Sequence, residues 1–390
     1  MTDKSSMKLG LFFILFSFPF QAFSIECELK GYQELGKEIL EDLKKSPFQC
    51  LKNDVHLTFD DGPSLTVTPA ILKELELRSV KATFFVTSTH LETTNTKYKE
   101  NRALVNQTLL SGHLLASHGH EHHAYDLRMN KAGEVVESGY TQEEREIQIQ
   151  KSMDLLQWST QGKFKQQDLQ LFRFPYGRGA MPSKQEIDKK FALGEIDTES
   201  ERYEDRLKKY RQTSPALQTI AGQGFSHLGW NHDSQDSSYG VKSPEKNVLK
   251  EYIKNNLKNL CASPQQTKVA LFHDIKEMNM TAIPLIIDIG RCLGLKYISA
   301  QDMVKDPKLK TSGVIIDKNE IINAPAQVAI DGLQSVEKIG QHSCQEKITD
   351  KSCWSEQYQK YYPHCSGGDS VCFEGKWKSR LDPIIQENCH

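Results

Sequence analysis

Two adjacent carboxylates, Asp60 and Asp61, lie in the stretch Thr58-Phe59-Asp60-Asp61-Gly62-Pro63, which follows the run Val55-His56-Leu57. Like charges side by side repel, and Asp, Gly and Pro are all disfavoured inside a strand. The pair suits a strand end where one carboxylate holds a metal ion and the other moves a proton. Asp-Gly-Pro is also ordinary turn chemistry, so a surface loop is the plain alternative. A second cluster, Ser117-His118-Gly119-His120-Glu121-His122-His123, places four histidines within six residues. Imidazoles are frequent ligands of borderline-soft divalent cations, although a solvated polar loop has the same composition. His118 and His122 are four apart and would share one face of a helical turn. His120 with His123 is a second possible pair. Two histidines and one aspartate leave a coordination position open for water or substrate, as a catalytic metal requires.

Three further segments put polar residues where an apolar run stops. They are Leu171-Phe172-Arg173-Phe174-Pro175-Tyr176-Gly177, Trp230-Asn231-His232-Asp233-Ser234-Gln235-Asp236 and Val269-Ala270-Leu271-Phe272-His273-Asp274. Taken in order, the five segments resemble the five motifs of the polysaccharide deacetylases, the NodB-homology group or carbohydrate esterase family 4. The resemblance runs from about Asp54 to Asp306. Thr58 to Pro63 matches the first motif unchanged. His118 and His122 match the paired histidines of the second, with Gly112-His113 as its lead-in. Arg173, Pro175 and Tyr176 match the third, and Leu271 and His273 the fifth. The fourth departs: Ser237 stands where the family has a tryptophan after the aspartate that matches Asp236. That tryptophan lines the substrate groove, so the departure touches the sugar subsite more than the chemistry.

The resemblance implies metal-dependent removal of an acetyl group from an N-acetylated hexosamine. Asp61, His118 and His122 are then the metal ligands, for Zn²⁺ by ligand type or another divalent cation such as Co²⁺. Asp60 is the general base, held and oriented by Arg173 through a charge-assisted hydrogen bond. The backbone N–H of Tyr176 helps to hold the oxyanion. His273 is the general acid for the departing amine, and Asp236 favours its charged form. Leu271 lines the acetyl pocket, and Pro175 and Trp230 border the sugar. The implied partner is a glycan containing N-acetylglucosamine. Peptidoglycan is favoured because export and a covalent wall share a compartment; chitin oligomers and acetylated xylan are the alternatives. A glycosidase also needs two carboxylates, but they must flank the bond about 5–9.5 Å apart, which sequence neighbours suit poorly. A non-catalytic glycan-binding protein would be expected to have lost the base or the acid, and Asp60 and His273 are both present.

The positioning elements are legible as alternation. Strand-like runs at 55–59, 82–86, 114–117, 171–174, 226–230, 268–272 and 295–298 are separated by helical stretches such as Thr68–Leu77, Thr141–Trp158 and Pro244–Leu260. Thr141 and Glu144 form a capping box. Seven strands alternating with helices predict parallel pairing in a barrel-like α/β fold. The family fold is similar, a distorted (β/α)7 barrel. Each motif falls after a strand, at the end where such barrels keep their active sites. The charge-rich segment 184–212 reads as a solvated helical excursion, with a glycan-contacting rim as the rival.

Lys4 and Lys8 precede an apolar run over Leu11–Phe20, and Ala22-Phe23-Ser24 offers small residues at cleavage spacing. Residues 1–24 are therefore expected to be a signal peptide cleaved near Ser24, leaving a secreted or periplasmic protein. The run is too short to span a bilayer, so no transmembrane segment is expected. A net charge of −2 argues against a nucleic-acid partner. Residues 25–53 form a leader, 54–309 the deacetylase-like domain, and 310–390 a small, Cys-rich, mostly helical appendage. Of nine cysteines, Cys27 and Cys50 are expected to pair in the leader and Cys261 with Cys292 across two helix ends. The other five, at 344, 353, 365, 372 and 389, are expected to give two bridges and one spare. Nothing in the sequence sets an oligomeric state.

Overall fold

The computed structural model describes residues 28–45, 48–196, 200, 202–262 and 267–322. The expected signal peptide, Cys27 and the cysteines from 344 onward lie outside the described residues. The strands are β1 (Asp54–Asp60), β2 (Thr83–Val86), β3 (Leu114–Ser117), β4 (Arg128–Met129), β5 (Val135–Glu137), β6 (Leu171–Phe172), β7 (Ser226–Leu228), β8 (His232–Asp233), β9 (Lys268–His273), β10 (Lys296–Tyr297) and β11 (Ile315–Ile316). The helices are α1 (Gln33–Lys45), α2 (Val67–Leu77), α3 (Tyr98–Leu110), α4 (Gln142–Ser159), α5 (Lys184–Ala192), α6 (Tyr203–Thr213), α7 (Pro215–Gly222), α8 (Lys246–Cys261), α9 (Asn279–Cys292), α10 (Ala300–Met303), α11 (Pro307–Thr311) and α12 (Lys318–Ile322).

The main sheet runs β11-β7-β6-β3-β2-β1-β9-β8 and curls into a half-barrel of the (β/α)7 kind. β9 covers one edge of β1 from Val55 to Asp60. The other edge is shared by β10, at Asp54 and Val55, and β2, at Thr58 to Asp60. Every pairing in this sheet is parallel except that of β11 with β7. All seven expected strands are present. β8 and β11 are additional: two residues each is too short for a periodic pattern to register.

β1 is buried on both faces after its first residue, which is why it reads as a nearly continuous apolar run. Val55, Leu57 and Phe59 join the larger core with Ile71 and Leu75 of α2, Ile253 and Leu257 of α8, and Ile283 and Ile287 of α9. Burying each such side chain contributes about 1.5–3 kcal/mol. The opposite, concave face carries His56, Thr58 and Asp60 in register with Val269, Leu271 and His273 of β9. Its apolar part, including Phe85, Ala116, Leu228 and Val269, extends to Met303 and Leu309 of α10 and α11. α4 starts on the expected capping box, with Thr141 accepting from the Glu144 N–H and its own N–H bonding the Glu144 carboxylate.

Two boundaries differ from expectation. α1 buries Ile39 and Leu43 in the main core, so the leader packs as part of the domain. β11 pairs with β7, so the sheet continues past residue 309. The cysteine pairing also differs. Cys50 is bonded to Cys261, and not to Cys27; Cys261 is therefore not the partner of Cys292, which is itself disulfide-bonded. The reason is topological. Cys50 precedes β1, Cys261 precedes β9, and parallel neighbours bring their starts together. β1 itself stands between β9 and β10, which separates the helix ends that carry Cys261 and Cys292. Leu51 N–H donates to the Cys261 carbonyl at 3.1 Å, and Asn53 Nδ2 to the Leu260 carbonyl at 2.7 Å.

Candidate active site

Strand alternation places Asp60 on the concave face and would send Asp61 to the other side. Asp61 instead leaves the strand with φ of +74°, and its carboxylate turns to the same site. Its Oδ1 lies 3.4 Å from Nε2 of His118 and 3.2 Å from Nε2 of His122. Asp60 Oδ2 lies 3.9 Å from the same His118 nitrogen. Gly62 follows because a Cβ there would stand 2.2 Å from the Asp274 carboxylate.

The histidines come from the loop after β3. This loop is not helical, contrary to the spacing argument, yet His118 and His122 still converge, with ring centroids 5.3 Å apart. Gly119 between them has φ of +84°, and a Cβ there would meet the Tyr125 hydroxyl at 2.6 Å. His118 Nδ1 donates to the Arg173 carbonyl at 2.7 Å, which leaves Nε2 as a lone-pair donor facing Asp61. The other two histidines are engaged elsewhere. His120 bonds Ser88 and lies 3.2 Å from Glu92, and His123 lies 3.2 Å from Glu137. Asp61, His118 and His122 form the set whose ligand atoms lie within 4.8 Å of one another. Asp61 Oδ1 is buried and has no hydrogen-bond partner. A buried orphan carboxylate oxygen between two imidazole nitrogens fits a divalent cation, and two nitrogens with one oxygen suit zinc.

Arg173, at the end of β6, is fully buried and satisfied on every side. Its Nη1 donates to Asp60 Oδ1 and to Thr58 Oγ1, each at 2.8 Å. Nε donates to the Leu228 carbonyl at 2.9 Å and Nη2 to that of Gly229 at 2.7 Å. Thr58 Oγ1 in turn donates to the Ala270 carbonyl at 2.8 Å. Asp60 is thus held from β6 and β7 as well as from its own strand. The guanidinium also lies over the Phe85 ring, and its carbon is 5.6 Å from the ring centre of the half-buried Trp230.

His273 ends β9 across from this cluster, with Nε2 3.9 Å from Asp61 Oδ2. Its Nδ1 donates to Asp236 Oδ1 at 2.6 Å. Burial favours the neutral ring, but the hydrogen bond and charge of buried Asp236 prevail, and the pKa stands at about 9. Asp236 Oδ2 accepts the His273 N–H at 2.8 Å and Asn279 Nδ2 at 2.6 Å. Asn279 carries no signal in the sequence, since it reads as an ordinary first residue of α9. Leu271 is buried on the concave face one step below His273. Ser237 is exposed beside Asp236, and the nearby Tyr239 packs on Tyr252.

Pro175 is buried and opens the short turn after β6, followed by Tyr176 with φ of +56°. The Tyr176 ring stands edge-on to His122, centroids 4.6 Å apart. Asp60, Asp61, His118, His122, Arg173, Asp236 and His273 are thus linked by short contacts, with Asp61, His118 and His122 as a set that could hold a metal between a held carboxylate and a charged histidine.

Residues 50–191 match the polysaccharide deacetylase family model. This stretch of the chain is thus similar to a polysaccharide deacetylase domain. The chain is 43% identical over 68 residues to the peptidoglycan-N-acetylglucosamine deacetylase PgdA of Listeria monocytogenes, covering 17% of this chain and 13% of that protein. It is 26% identical to the putative polysaccharide deacetylase YheN of Bacillus subtilis, covering 60% of this chain and 62% of YheN. The matched part of this chain thus spans less than two thirds of either relative. The crystal structure of the polysaccharide deacetylase Bc1974 from Bacillus cereus aligns with 63% of this chain and 91% of its own, at 23% identity and a TM-score of 0.41.

Proposed function

We propose that the protein is an exported, zinc-dependent N-deacetylase that hydrolyses the acetamide of N-acetylglucosamine in peptidoglycan. The observation that carries this reading is the buried orphan oxygen of Asp61 between His118 and His122, flanked by Arg173-bound Asp60 and Asp236-bound His273. The name of the Listeria relative supports the substrate. The apolar run over Leu11–Phe20 supports export.

Asp61, His118 and His122 would hold the cation, which when bound supplies a Lewis acid that acidifies water and polarises the acetyl oxygen. Asp60 accepts the proton of the attacking water, and Arg173 keeps its second oxygen turned to the site. The backbone N–H of Tyr176 stabilises charge on the acetyl oxygen as the carbonyl carbon becomes tetrahedral. His273 gives a proton to the nitrogen as the C–N bond breaks, so the products are acetate and a free amine. Asp236 orients the His273 ring and stabilises its charged form before that transfer. Leu271 offers an apolar surface to the methyl group.

The test is acetate release from peptidoglycan, chitin oligomers and acetylated xylan, with added zinc and after chelation. Zinc-dependent release from peptidoglycan in excess of the others is expected. Release from chitin oligomers or xylan alone overturns the substrate, and release that survives chelation overturns the metal role.

A further inference from the structure

Tyr176 holds φ of +56° and ψ of +6°, a left-handed conformation that a residue with a Cβ keeps only when its surroundings impose it. Two arginines grip it from different ends. Arg178 Nη1 donates to the Tyr176 carbonyl at 2.7 Å. The Arg128 guanidinium carbon lies 4.0 Å from the centre of the Tyr176 ring, where a flat cation meets the negative face of an aromatic. Neither arginine is loose. Arg128 is paired with Glu137 across the β4–β5 hairpin. Arg178 Nε donates to Glu186 Oε1 at 2.9 Å. Glu186 is fully buried, and the same oxygen accepts the backbone N–H of Met129, next to Arg128, at 2.8 Å. Its other oxygen accepts the Ser183 N–H at 2.6 Å in the capping box that starts α5. One carboxylate thus ties the hairpin to the arginine that holds the Tyr176 backbone. The Tyr176 ring in turn abuts His122.

We propose that Arg128 is a positioning residue which, with Arg178, clamps Tyr176 so that its N–H and the neighbouring His122 ring are in place before substrate binds. The proposal rests on the deacetylase reading of the site. It gives the β4–β5 hairpin and the start of α5 a shared role, since both converge on one residue of the third motif. Arg128 acts through Tyr176 and needs no contact with the sugar.

The experiment compares wild type, Arg128→Ala and Arg128→Lys in two measurements. Steady-state kinetics on chitin oligomers and peptidoglycan separate kcat from KM. Hydrogen exchange follows the Gly177 and Arg178 amides, which bond the Phe174 and Pro175 carbonyls at 2.8 and 3.1 Å within the turn. For Arg128→Ala the expected result is a kcat about tenfold lower, from a misplaced donor. KM should stay within about twofold, because uniform binding is untouched. Exchange at the two amides should rise about tenfold as the turn opens more often. Arg128→Lys should recover part of both losses. A raised KM with unchanged kcat would mean that Arg128 binds sugar, and unchanged exchange would mean that it does not hold the turn; either overturns the clamp. If wild type releases no acetate from any glycan, the deacetylase reading fails, while the exchange result still decides whether Arg128 fixes Tyr176.

Discussion

The carbonyl oxygen of Arg173 accepts a hydrogen bond from Nδ1 of His118 at 2.7 Å. A carbonyl only accepts, so the tautomer of His118 is set by the main chain of β6. The same arginine holds Asp60 through its side chain. A single residue therefore orients a proposed metal ligand with its backbone and the proposed base with its guanidinium.

Asp60→Asn should lower kcat by about 10²–10⁴, the usual worth of a general base, while zinc content is unchanged. Arg173→Met should destabilise the fold by about 3–5 kcal/mol, because it leaves Asp60 buried without its cation. Acetate-release kinetics, metal analysis and denaturant unfolding check the pair. An Asp60→Asn protein of normal rate would remove that residue from the mechanism.

Chelation should abolish turnover, and zinc should restore it. Asp61→Ala and His118→Ala should lose bound zinc as well as rate, whereas His120→Ala should keep zinc, since His120 is engaged by Ser88 and Glu92. Metal content after gel filtration reads this directly. Loss of zinc from His120→Ala, with retention by His118→Ala, would show that the other pair of histidines binds.

The rate should fall as pH rises through about 9, because His273 must carry a proton to act as an acid and loses it there. Asp236→Asn removes the interaction that opposes burial, so the pKa of His273 drops. The alkaline limb of kcat/KM should then move to lower pH. An alkaline limb that stays where it was in Asp236→Asn would separate His273 from the titration.

Replacing Cys50 and Cys261 together by serine should lower unfolding stability by about 2–5 kcal/mol, measured by denaturant titration. Peptide mapping of the unreduced protein should recover the Cys50 and Cys261 peptides joined. A Cys27–Cys50 peptide in their place would refute the pairing.

Much of this architecture is legible in the sequence, and what is not legible has physical causes. The strands stand out because parallel strands buried on both faces leave continuous apolar runs, as in Val269-Ala270-Leu271-Phe272. The proposed ligands stand out because carboxylates and histidines at strand ends have few structural reasons to be there. Their backbone does not: His118 and His122 share a face through a loop turned by Gly119, and spacing alone cannot tell that from a helix. The disulfide is hidden because chain order makes the helix ends at Cys261 and Cys292 look adjacent, whereas β1 lies between β9 and β10 in the sheet. Glu186 reads as part of a solvated charged face, yet it is buried. Composition gives no warning when a carboxylate is satisfied by Arg178 and two backbone N–H groups.

Asp60 and Asp61 are the same side chain written twice, so nothing in their chemistry decides which is the proposed ligand and which the proposed base. The main chain decides it: one residue keeps the extended conformation of β1 and the next turns left-handed at +74°. The division of labour is conformational information, carried by the bond between two identical letters. An Asp-Asp pair copied into a strand without that turn would present its carboxylates on opposite faces, and neither could assist the other.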